Sequence, residues 1–126
     1  MVILDSNIWI ALLNIDDSNH SKARQLFREI KEKIVLPEYI ILETATLLSQ
    51  KISKKSADDF IKNVIDNKDI EILPSSKEFL EKVIEFYLSK RIEKLSFVDY
   101  SLLYLVPKVR VITLDKVLKR EIEKLL

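Results

Sequence analysis

The chain has 126 residues and a formal net charge of +1, with 48% hydrophobic and 33% charged residues, which suits one domain spanning residues 1–126 with its own core. It has no cysteine, no glycine and a single histidine, His20. That excludes disulfides, thiolate or imidazole-rich zinc sites and glycine-built phosphate loops, and it fits a reducing, cytoplasmic setting.

No apolar run approaches the roughly 20 residues of a membrane span. With near-neutral charge, nucleic-acid contacts must come from local basic patches and bound metal. Val2-Ile3-Leu4 reads as a buried strand stopped by Asp5-Ser6-Asn7, and Ile8 to Leu13 as a buried helix. After the polar break at Asp16–Asn19, Ala23, Leu26, Phe27 and Ile30 recur at helical spacing. Ile34-Val35-Leu36 is a second strand closed by Pro37, which suits the first turn of a third helix running to about Ser49. Ser56 with Asp59 has capping-box spacing and opens a fourth helix toward Ile65. Ile70 to Leu73 is a third strand, and Ser75 with Glu78 opens a fifth helix carrying Phe79, Val83, Phe86 and Tyr87. Ser96 with Asp99 opens a sixth helix that must end before Pro107. Val109 to Leu114 is the fourth strand, and Asp115 precedes a final helix. Short apolar strands alternating with helices predict a parallel sheet covered on both faces.

In open parallel sheets, ligands gather beyond the carboxyl ends of the strands near the switch in strand order. Asp5 follows strand one and Asp115 follows strand four, so the two acids face each other if those strands are neighbours. Asp99 lies in the first turn of helix six, and Glu43 lies about a turn and a half into helix three. Taken singly, Asp5, Asp99 and Asp115 have a simpler reading as helix caps, and Glu43 as an exposed helix residue. Taken together, two of them sit in apolar company, Glu43 near Ile40, Ile41 and Leu47, and Asp99 in Leu-Ser-Phe-Val-Asp. Unpaired carboxylates are costly there, and a shared cation offsets that cost. Oxygen ligands without sulfur or imidazole select Mg2+ or Mn2+. Such an ion lowers the pKa of a bound water and polarises a phosphoryl oxygen. Ser6, Asn7, Ser96 and Thr113 either orient these acids and the waters around them or cap helices.

Four pieces in this order resemble the PIN domain family, and more narrowly its VapC-type toxins: Val2-Ile3-Leu4-Asp5-Ser6-Asn7-Ile8, Leu42-Glu43-Thr44, Leu95-Ser96-Phe97-Val98-Asp99 and Val111-Ile112-Thr113-Leu114-Asp115. The resemblance spans essentially the whole chain. It implies a three-layer α/β/α sandwich around a parallel sheet of four or five short strands, and a metal-dependent endoribonuclease. It also implies a homodimer and, for the toxins, a small antitoxin that blocks the site. Asp5, Glu43, Asp99 and Asp115 take the catalytic, metal-binding places, with Asn7, Ser96 and Thr113 supporting them. The stretch between Asp99 and Thr113 is short for the family and broken by Pro107, so helix six should be clipped by about a turn. An RNA-processing nuclease without an antitoxin, or a PIN-like scaffold that binds RNA or a partner without cutting, remain the alternatives.

Other residues have competing readings. Trp9, within Ile8-Trp9-Ile10, suits the core or a dimer interface better than a stacked base. With Tyr39 it could also line a groove for an antitoxin helix that places an arginine or lysine among the acids. Lys51, Lys54, Lys55, Lys90, Arg91 and Lys94 could track phosphates, although solvated helix ends are the simpler reading. His20, in a polar stretch, reads as a surface residue.

Overall fold

The computed structural model describes residues 1–126. In chain order the elements are β1 (Val2–Leu4), α1 (Ser6–Leu13), α2 (His20–Glu29), β2 (Ile34–Pro37), α3 (Glu38–Lys51) and α4 (Lys54–Asp66). They continue with β3 (Ile70–Leu73), α5 (Lys77–Ser89), α6 (Phe97–Leu105), β4 (Arg110–Ile112) and α7 (Lys116–Lys124). The four strands form one parallel sheet in the order β3-β2-β1-β4. β1 and β2 are central and buried throughout, whereas the outer strands β3 and β4 are partly exposed. This is why Val-Ile-Leu and Ile-Val-Leu run without polar alternation. The chain winds from β1 through β2 to β3, then crosses back to place β4 beside β1. Strands one and four are therefore neighbours, with Leu4 opposite Ile112.

Helices α1 to α4 pack on one another, and α5, α6 and α7 form a second group, giving the α/β/α sandwich. Ile3, Leu4, Ile8, Leu36, Ile40, Leu48, Phe60, Leu102 and Leu118 are fully or almost fully buried in the core. Trp9, only 4% exposed, belongs to it and meets Phe27 and Phe60 edge-on at 6.2 and 5.7 Å. A groove or base-stacking function for Trp9 is therefore excluded.

Several boundaries differ from those expected. Ser53, not Ser56, caps α4 by accepting the Ser56 N–H. The helix gains a turn because Lys54 and Lys55 pair with Asp58 and Asp59 one turn on. Ser76, not Ser75, caps α5. Pro37 ends β2 in extended conformation, so α3 begins at Glu38. β4 is shorter than expected because Thr113 and Leu114 leave the ladder to bind the side chains of Asp5 and Asn7. His20 is not a free surface residue: its Nδ1 lies 2.8 Å from the Ala11 carbonyl and ties the start of α2 to α1. No helix is long and apolar enough to cross a membrane.

Candidate active site

The acidic edge begins where β1 ends. The Asp5 N–H donates to Ile112 at 2.9 Å, carrying the β1–β4 ladder one residue further. This places a carboxylate, 3% exposed, at the switch point. Oδ1 of Asp5 accepts the Ser6 N–H at 2.7 Å, and Oδ2 accepts the Thr113 hydroxyl at 2.8 Å. Thr113 Oγ1 in turn accepts the Asp115 N–H at 3.0 Å and the Asn7 amide at 3.2 Å. Asn7 Oδ1 takes the Leu114 N–H at 3.1 Å. Asn7 and Thr113 thus bind the turn after β1 to the turn after β4.

The other acids arrive from separate helices. Ser6 donates its hydroxyl to Glu43 Oε1 at 2.5 Å, so one residue holds Asp5 through its backbone and Glu43 through its side chain. Asp99 closes the expected capping box of α6: Oδ2 accepts the Ser96 N–H at 3.0 Å and Ser96 Oγ accepts the Asp99 N–H at 3.1 Å. Asp115 caps α7 by accepting the Val117 and Leu118 N–H groups on Oδ1. Capping and clustering are compatible here. Each cap uses one oxygen, leaving Oδ1 of Asp99 and Oδ2 of Asp115 outside the cap bonds.

Burial pushes the Asp5 carboxyl up to about 6. The bonds from Thr113 and Ser6 pull it down, while the charges of Asp99 and Glu43 add to the rise. Burial also raises the Asp99 carboxyl, opposed by Ser96 and reinforced by Asp115. The four acids therefore lie within one electrostatic neighbourhood. Still, no three stand close enough to enclose an ion in their present rotamers. Asp5 and Glu43 are joined through Ser6, while Asp99 and Asp115 hold to their own helix ends.

Tyr39 was not singled out as part of the site. It precedes Glu43 by one helical turn on α3, a spacing that puts both on one face. Its hydroxyl is buried and lies beside the Ser101 side chain, and burial, opposed by Ser101 and reinforced by Asp5, pushes it up to about 12. A depression of about 580 Å³ among Phe27, Lys31, Lys33, Lys68 and Ile70 lies where the chain enters β2 and β3 and contains none of the four site acids. A cleft of about 350 Å³ does adjoin them, lined by residues including Ser6, Asn7, Lys51 and Asp115.

Thr113→Val should cost about 1–3 kcal/mol, since valine keeps the shape but removes the partner of the Asp115 N–H and a donor to Asp5. Urea unfolding would show a lower midpoint with an unchanged slope. An unchanged midpoint would mean the hydroxyl carries no such weight.

The fold is that of a three-layer α/β/α protein with its polar site at the crevice between β1 and β4. The chain belongs to the PIN domain family, whose model matches residues 2–121. Among solved structures, it is similar to Mycobacterium tuberculosis VapC20, described as a sarcin–ricin loop cleaving toxin. The TM-score is 0.86 at 19% identity, covering 95% of this chain and 94% of that one. At that identity the likeness speaks for the fold. No curated protein sequence matches this chain significantly.

Proposed function

We propose that this PIN protein is a divalent-metal-dependent endoribonuclease and the toxin of a VapBC-type toxin–antitoxin pair. The observation that carries the reading is Asp5, buried and acid-weakened at the switch point, within electrostatic reach of Glu43 and Asp99, with Asp115 in reach of Asp99. The donor set is all oxygen and suits Mg2+ or Mn2+. Asp5 supplies a buried negative charge that no cationic side chain answers, which is the charge balance a cation corrects. When bound, the ion supplies a nucleophile from water at neutral pH and charge stabilisation at the phosphoryl group.

The chain's own residues do the positioning. Ser6 sets the Glu43 carboxylate relative to Asp5, Thr113 holds Asp5 at its second oxygen, and Ser96 orients Asp99. RNA as substrate is supported by the family and by the described action of VapC20. An antitoxin partner and a cytoplasmic setting belong to the same reading. So does a homodimer, supported by the exposed apolar stripe Leu80, Ile84 and Leu88 on α5.

The test is incubation of purified protein with structured RNAs, including a sarcin–ricin loop hairpin, in magnesium, manganese or chelator. Discrete cuts that vanish in chelator are expected. Binding without cutting in any metal would favour the non-catalytic scaffold. Cutting by a protein whose gene has no small DNA-binding neighbour would favour an RNA-processing nuclease.

A further inference from the structure

The basic residues that could track phosphates differ in how they are engaged. Lys54 and Lys55 pair with Asp58 and Asp59. Arg91 donates to the carbonyls of Leu88 and Lys90, and Lys90 lies over the Phe86 ring. Lys51, the last residue of α3, forms no ion pair. It is also the one cation lining the cleft that holds Ser6, Asn7 and Asp115.

We propose that this cleft is a phosphate subsite for single-stranded RNA, in which Lys51 neutralises a backbone phosphate next to the scissile one. The inference rests on the nuclease reading above and adds the path of the strand. Three features support it. The cleft is continuous with the acid set through Asn7 and Asp115, so RNA leaving the reaction centre on that side must cross it. Its wall combines polar groups from Ser6, Asn7 and Asn19 with the apolar side chains of Ile10, Leu47 and Leu114, a combination that suits a sugar–phosphate unit. Asp17 and Asp115 also line the cleft, and Lys51 is the one cation there against which a phosphate can rest. Asp17 is turned toward its own loop, where Oδ1 accepts the Asn19 N–H at 2.8 Å.

The simpler reading is that Lys51 only complements the carboxyl end of α3. Binding of an end-labelled oligouridylate, measured at a series of KCl concentrations in the non-cutting Asp99→Asn background, separates the two. Lys51→Gln should weaken binding about fivefold near 0.1 M salt and flatten the log–log salt slope by about 0.7. Lys51→Arg should restore both. Lys54→Gln makes the same change in net charge three residues on, at the start of α4, and should leave both nearly unchanged. In the cutting protein, Lys51→Gln should raise KM with kcat preserved. Equal effects from Lys51→Gln and Lys54→Gln, an unchanged salt slope, or a drop in melting temperature that accounts for the loss would overturn the subsite. The nuclease reading is judged separately by the cleavage assay on structured RNAs, and a protein that cuts those RNAs yet does not bind the oligouridylate would also overturn the subsite.

Discussion

Asp5→Asn and Asp99→Asn are each expected to abolish metal-dependent RNA cleavage while leaving the protein folded. Loss of an outer partner of a metal ligand typically costs about 10–100-fold. Removing the charge of a ligand itself should exceed that. The structure makes the substitutions clean. In Asp99→Asn the side-chain carbonyl can still accept the Ser96 N–H, so the capping box and the start of α6 survive. In Asp5→Asn the carbonyl can still accept the Ser6 N–H. Cleavage rates, with circular dichroism as the check on folding, decide the matter. Full activity in both folded variants would remove these acids from the reaction.

The second large effect is on stability. Asp5 holds its proton up to about pH 6 in the fold against an ordinary 3.8. Between those values the folded chain binds more protons at this group than the unfolded chain, so its contribution falls as pH rises. Stability associated with Asp5 is fully present below 3.8 and lost by about pH 6, at a cost of about 3 kcal/mol at neutral pH. Asp5→Asn escapes this cost but gives up about 1 kcal/mol of hydrogen bonding at the Thr113 side. In chelator at neutral pH the variant should therefore be about 2 kcal/mol more stable and melt about 6–10 °C higher. Near pH 4 the gain should vanish and the order should reverse slightly. Magnesium should raise the wild-type melting temperature and move the variant's little. A variant less stable at every pH would make Asp5 a helix cap and nothing more.

The sheet was legible because its physics is local. Val2-Ile3-Leu4 and Ile34-Val35-Leu36 are apolar without alternation, which only a strand covered on both faces tolerates. Asp5, Asp99 and Asp115 were legible because each follows a strand or opens a helix, positions that topology carries toward one edge, whereas Glu43, inside α3, was legible only from its apolar neighbours and the family resemblance. Ser96–Asp99 was read correctly, since both halves of its capping box are in the sequence. The misplaced caps at Ser56 and Ser75 show the limit of that signal. Two serines within three residues offer the same chemistry, and the choice depends on ion pairs such as Lys55–Asp59 in the added turn. The shortening of β4 was invisible because its cause is a partner 108 positions away, Asp5. Tyr39 reads as part of a groove for a partner helix because nothing in the sequence marks its hydroxyl as buried. His20 looked solvated because its partner is a backbone carbonyl, which no sequence pattern marks.

The Asn7–Thr113 link has a consequence for when activity begins. Asp5 and Asn7 are made about a hundred residues before Thr113, Asp115 and the strand that flanks β1. A chain still under synthesis can form β1, β2 and β3, yet it lacks the hydroxyl that holds Asp5 and the fourth acid. Its site closes only when β4 docks beside β1. A site built this way cannot assemble before the segment that carries β4 has been made.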